Sequence, residues 1–171
     1  YLEFASSDAE PVRYSAREMD AESTRLANTL SSLGLGHGDR FATLLDNRAE
    51  QVVSFFAALK LGSIQVPINT AYKGEFLRHQ LADSGAKIFA VQGDFVSRAA
   101  EVINAENTPD LTHCIIVDPP DAVLDAVPAI RWQDALARGG EDPIDVSQVR
   151  PGDLACFIYT AGTTGPSKGC M

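Results

Sequence analysis

The chain has 171 residues, 45% hydrophobic and 22% charged, with a net charge of −9, which is the length and balance of one globular domain with a buried core. The acidic excess argues against nucleic acid or an anionic membrane as partner, since both are polyanions. No apolar run approaches the roughly 20 residues of a membrane span, and Cys114, Cys156 and Cys170, with no CxxC pair among them, outline neither a disulfide framework nor a zinc site.

In chain order, "YLEF" and "VRYS" flank a polar turn and read as an edge hairpin. Ser15 and Glu18 form the S-x-x-E pattern of a capping box. Behind it Met19, Leu26, Leu30 and Leu33 recur at helical spacing, with Gly34 as the stop. Strands and helices then alternate. "RFATLLD" is a strand, and "NRAEQVVSFFAALKLG" a helix expected to turn Val52, Phe55, Phe56 and Leu59 inward. "SIQVPIN" is a strand, "KGEFLRHQLADSG" a helix, "KIFAVQ" a strand, "DFVSRAAEVI" a helix and "HCIIVD" a strand. A weaker helix covers "RWQDALARG", and a last strand runs from Leu154 to Tyr159. The stretches from Pro119 to Pro128 and from Pro143 to Pro151 read as surface connection. Runs apolar on both sides, such as "CIIV" and "LACFIY", suit a parallel sheet covered on two faces. The repeated strand–helix order therefore predicts an α/β fold, a doubly wound and largely parallel sheet flanked by helices.

Most candidate chemistry dissolves on inspection. "GLGHGDR" lacks the third glycine of a dinucleotide fingerprint and lies between a helix and a strand, the reverse of the required order; it reads as a helix C-cap and turn. His37, His79 and His113 carry no metal-ligand spacing. His79, between Leu77 and Leu81, reads as a surface or packing residue, and Trp132 as a packing anchor.

The closing stretch "FIYTAGTTGPSKGCM" differs. A strand delivers it to the carboxyl end of the sheet, where open α/β sheets bind ligands. Its glycines, Gly162, Gly165 and Gly169, let the backbone approach an anion. Thr160, Thr163 and Thr164 offer hydroxyls to phosphate oxygens or a cation, and Lys168 adds a point charge. These donors make a phosphate cradle. The order Ser167-Lys168-Gly169 is not the Gly-Lys-[Ser/Thr] of a Walker A loop, which speaks against a kinase or nucleotide hydrolase.

"YTAGTTGPSKG" resembles the phosphate-binding loop of the adenylate-forming superfamily, which holds acyl-CoA synthetases, amino-acid adenylation domains and firefly luciferase. Tyr159, Thr160, Gly162, Thr163, Thr164, Gly165, Lys168 and Gly169 fall on the family pattern; Ala161 stands in place of a usual serine, and Pro166-Ser167 where x-Pro is common. "GDRFATLLDN", "FFAALKLGSIQVPIN", "LRHQLADSGAKIFAV" and "PGDLACFIYTAGTTG" are similar to further family segments, so the resemblance spans almost the whole chain. Its tone is closest to CoA ligases of fatty, crotonobetaine-like or steroid-side-chain acids.

The resemblance implies that a carboxylate attacks ATP to give an acyl-adenylate, and that coenzyme A then displaces AMP. It implies Thr160, Ala161, Gly162, Thr163, Thr164, Gly165 and Lys168 as nucleotide-binding residues and Lys168 as the catalytic cation. Thr163 and Thr164 are the candidate Mg²⁺ ligands. The implied partners are a small carboxylic acid, ATP and CoA in the cytoplasm, with no nucleic acid and no integral membrane segment. Family members are much longer, and Tyr1 rather than Met opens the sequence. The expectation is therefore that residues 1–171 are the leading portion of the large N-terminal domain, cut after the phosphate loop, without the C-terminal domain, inactive alone and prone to self-association. An aryl- or aminoacyl-adenylating enzyme and a non-catalytic α/β binding module stay open, because the residues that choose the acid are not in the sequence.

Overall fold

The computed structural model describes residues 2–6, 9–160 and 168–170. The edge hairpin forms as read: β1 (Leu2–Ser6) pairs antiparallel with β2 (Ala9–Tyr14). Ser15 then caps α1 (Ala16–Ser32), its hydroxyl accepting from the Glu18 amide while the Glu18 carboxylate accepts from the Ser15 amide at 2.7 Å. The helix ends where expected, with Gly34 at φ +89° and Gly38 at φ +77° turning the chain into the sheet.

Alternation follows through β3 (Arg40–Leu44), α2 (Ala49–Lys60), β4 (Ile64–Pro67), α3 (Glu75–Ser84) and β5 (Ile88–Gln92). A 3₁₀ turn leads into the short α4 (Val96–Ala100), followed by β6 (His113–Val117), β7 (Ala129–Arg131) and α5 (Trp132–Gly139). Strands β3 to β7 form one parallel five-stranded sheet in the order β4-β3-β5-β6-β7.

Side chains alternate across this sheet and feed two cores. Phe41, Ile88, Ala90, Ile115 and Val117 face Leu26, Leu30, Val53, Trp132 and Leu136, so α1, α2 and α5 cover one side. Ala42, Leu44, Phe89, Val91, Cys114 and Ile116 face Leu77, Leu81, Val96 and Ala99, so α3 and α4 cover the other. The sheet is doubly wound, with no side left to water.

Three local expectations need correction. The buried residues of α2 are Ala49, Val53, Ser54, Ala57 and Ala58, whereas Phe56 is exposed and Val52, Phe55 and Leu59 are half-buried. Small residues face inward because they let the helix lie close to its neighbours. A short strand that the sequence reading lacks, β7, follows the connection from Pro119 to Pro128 and precedes α5. The last strand is not continuous from Leu154 to Tyr159. Only Cys156 bridges Gln65 of β4 in parallel, and the ladder there consists of the Gln65 amide donating to the Ala155 carbonyl (3.0 Å) and the Phe157 amide to the Gln65 carbonyl (2.9 Å). The chain then leaves the sheet as β8 (Ile158–Thr160), which pairs antiparallel with β9 (Lys168–Cys170).

Candidate functional site at the carboxyl end of the sheet

The approach to the candidate site is pinned twice. His37 Nε2 lies 2.9 Å from Asp153 Oδ2, tying the turn before β3 to the segment that precedes β8. Asp153 also accepts from the Arg150 amide at 2.8 Å, and the His37 bond followed by this one holds its carboxyl below the usual range. The parallel contact with β4 then directs the chain toward the end of the sheet at which β4 finishes.

β8 and β9 set the ends of the glycine- and threonine-rich stretch side by side. Thr160 is registered opposite Lys168, and Tyr159 opposite Gly169. Two of the predicted binding positions are thus brought together in backbone register. Ala161, Gly162, Thr163, Thr164 and Gly165 lie outside the described residues. Among the described residues no group of three or more His, Cys, Asp or Glu side chains is placed to hold a metal ion.

Sequence reasoning treated Tyr159 only as a motif position, and its surroundings are informative. Its hydroxyl donates to Asp83 Oδ2 at 2.7 Å, and its ring meets the His79 imidazole edge to face at 6.5 Å between centroids. The same ring lies 3.5 Å from where a Cβ on Gly169 would stand. Burial, and then the Asp83 carboxylate, push the phenol well above its ordinary ionisation range. His79 and Asp83 are four residues apart and share one face of α3. No local pattern in the sequence announces a contact between positions so far from Tyr159.

Nearby, the crevice between β3 and β5, whose connections leave in opposite directions, is closed by side chains. Gln92 Oε1 accepts from the Asp46 amide (3.2 Å), and Gln92 Nε2 donates to Asp46 Oδ2 (3.1 Å). An open cavity of about 420 Å³ beside it is lined by Asp46, Asn47, Gln51, Pro67, Asn69 and Thr70. Arg48 is occupied by Glu50 (2.6 and 2.9 Å) and by Asp118, which is held at φ +68°. The polar groups at this edge mostly satisfy one another. The thiol of Cys114 is excluded from chemistry, since burial pushes it up to about 12.

Residues 3–171 match the family described as AMP-binding enzyme. The chain belongs to the AMP-binding enzyme family. One relative is the long-chain-fatty-acid–CoA ligase FadD13 of Mycobacterium tuberculosis (strain ATCC 25618 / H37Rv), 35% identical over 161 residues, which are 94% of this chain and 29% of that protein. Among solved AMP-binding structures, the anthranilate CoA ligase AuaEII in complex with anthranoyl-AMP aligns at a TM-score of 0.78 and 27% identity, over 90% of this chain and 28% of the other. The inhibitor-bound N-terminal domain of FACL13 from Mycobacterium tuberculosis aligns at 0.76 and 31%, over 92% of this chain and 37% of that one. The chain thus spans less than a third of the length of FadD13 and of AuaEII. The parallel sheet and its flanking helices are those of the N-terminal domain of adenylate-forming enzymes.

Proposed function

We propose that these residues are the leading portion of the N-terminal domain of an ATP-dependent acid–CoA ligase, and that their closing stretch holds the nucleotide triphosphate. The observation that carries this reading is the register of β8 and β9, which sets Thr160 opposite Lys168 across the ends of residues 161–167. By sequence that stretch, with Lys168, carries glycine amides, threonine hydroxyls and one cation without an acid among them. That donor set fits a polyphosphate.

In the proposed reaction a carboxylate oxygen of the acid bonds to the α-phosphorus of ATP, and the bond to the bridging oxygen breaks with release of pyrophosphate. The sulfur of coenzyme A then bonds to the acyl carbon, and AMP leaves. Thr160, Thr163, Thr164 and the amides around Gly162 and Gly165 hold phosphate oxygens, and Lys168 stabilises charge on the departing pyrophosphate. Magnesium, held in part by Thr163 and Thr164, would spread that charge further. The relatives named above support a fatty or aromatic acid as substrate, and the supply of ATP and CoA argues for the cytoplasm as its place of work. The chain by itself is expected to be inactive, and to self-associate through exposed apolar residues such as Leu154 and Ile158.

Acid-dependent pyrophosphate exchange by the full-length enzyme tests this reading, using a panel of fatty and aromatic acids. Exchange with at least one acid, followed by thioester formation when CoA is added, is expected. ATP left intact with every acid overturns it.

A further inference from the structure

We propose that Asp83 and Tyr159 form a tether by which α3 positions the β8–β9 pair, and through it the triphosphate-holding stretch. The inference rests on the reading of that stretch given above. β8 has left the parallel sheet: beyond the Gln65–Cys156 bridge its ladder partner among the described residues is the equally short β9. Two short paired strands are marginal alone in water. Beyond the backbone bonds of Ala155 and Phe157 to Gln65, side chains have to help place them.

Tyr159 supplies such a side chain. Its ring packs partly buried against the core under α3 and α4 and lies over Gly169 of the opposite strand, and its hydroxyl ends on Asp83 at 2.7 Å. One residue thereby spans β9, β8 and α3. His79, one turn before Asp83, fixes the ring from its edge. Asp83 itself lies in the last turn of α3, where the negative end of the helix dipole disfavours a carboxylate. Helix stability does not explain an aspartate there. The phenol hydroxyl does, because a charge-assisted bond from it offsets the unfavourable placement. The neighbouring carbonyls of Ser84 and Gly85 are taken by the Arg40 guanidinium at 2.7 and 2.8 Å, so this end of α3 is fastened to the sheet at β3. A tether to Asp83 therefore refers the β8–β9 pair to the rigid sheet. Asp83 is a positioning residue: it touches Tyr159, and Tyr159 precedes the first phosphate-holding position, Thr160.

The test uses the full-length enzyme. Tyr159→Phe removes the hydroxyl and keeps the ring. It is expected to raise KM for ATP roughly tenfold, the loss of one hydrogen bond to a charged acceptor, with KM for the acid unchanged. The melting temperature should fall by no more than about 2 °C. Asp83→Ala is expected to do the same, and the double variant no more than either single one. Asp83→Asn, which keeps a carbonyl oxygen as acceptor, should restore KM to within about twofold of the parent. An ATP KM unmoved by Tyr159→Phe overturns the tether, and so does an Asp83→Asn variant as weak as Asp83→Ala. Hydrogen exchange of the amides in 158–160 and 168–170 reads the same tether without catalysis. Tyr159→Phe should speed it about tenfold relative to the parent, by the same lost bond, and unchanged exchange refutes the tether. If the parent consumes no ATP while exchange does quicken, the nucleotide reading fails and the tether stands.

Discussion

Lys168 and Thr160 are paired in backbone register across β8 and β9 although seven positions separate them in the sequence, and Thr160 is followed at once by the stretch that carries Thr163 and Thr164. A cation at one end of such a stretch acts on charge that develops as pyrophosphate departs. Removing one such group from a preorganised site slows chemistry by about a hundredfold or more. Lys168→Ala in the full-length enzyme is therefore expected to lower the pyrophosphate-exchange rate by that factor with little change in KM for the acid. A variant exchanging at the parent's rate removes Lys168 from its assigned role. At this scale legibility depended on distance along the chain. The Ser15–Glu18 capping box was readable because both partners lie within one turn, and Gly34 and Gly38 because helix ends recruit residues of positive φ. The Tyr159–Asp83 bond joins positions 76 residues apart, and only the fold brings them together. The same holds for His37 with Asp153.

Each element forms for a reason that predicts its weak point. α1 begins at Ser15 because its hydroxyl satisfies an otherwise unpaired amide of the first turn. Ser15→Ala should destabilise the chain by about 1 kcal/mol, seen as a lower urea midpoint with an unchanged slope; an unaltered midpoint contradicts the capping role. Strongly patterned elements were legible: β3, β5 and β6 each carry a mostly apolar run with a polar residue at one end, as strands buried on both faces do. Others were not. The inward face of α2 is not legible from bulk, because Val53, Ala57 and Ala58 allow close packing and leave Phe56 at the surface. β7 alternates exposed and half-buried positions over three residues, and β9 reads only Lys-Gly-Cys. Strands that short carry no periodicity, and their pairing partners decide them.

For the whole molecule, charge sets a pH window. Several carboxyls are held below their ordinary values. Glu18 is lowered by its bonds with Ser15, Asp153 by His37 and the Arg150 amide, and Asp145 by the Ser147 amide and hydroxyl. Asp39 is raised by burial but lowered further by Lys87, at 2.8 Å, and by the Gly36 amide. A carboxyl depressed in the folded state stabilises it above the unfolded value, and that contribution is lost as pH falls through the folded value. Glu22 opposes them, since burial and then Glu50 raise it and its protonation relieves the fold. Glu75 is lowered as well, by its bond with Arg78, and five groups against one predict a melting temperature that is steady near neutrality and falls once pH drops below the ordinary values of 4.5 for Glu and 3.8 for Asp. A melting temperature that stays level or rises on acidification would refute that sign. The doubly wound order itself was legible from strand–helix alternation, because covering both faces of a parallel sheet leaves few other arrangements.

The most direct measurement is a structure of the full-length enzyme with Mg²⁺ and a non-hydrolysable ATP analogue. The β- and γ-phosphate oxygens are expected within about 3.2 Å of donors from Thr163, Thr164 and Lys168. A triphosphate seated elsewhere, with those residues making no contact to it, would contradict the claim.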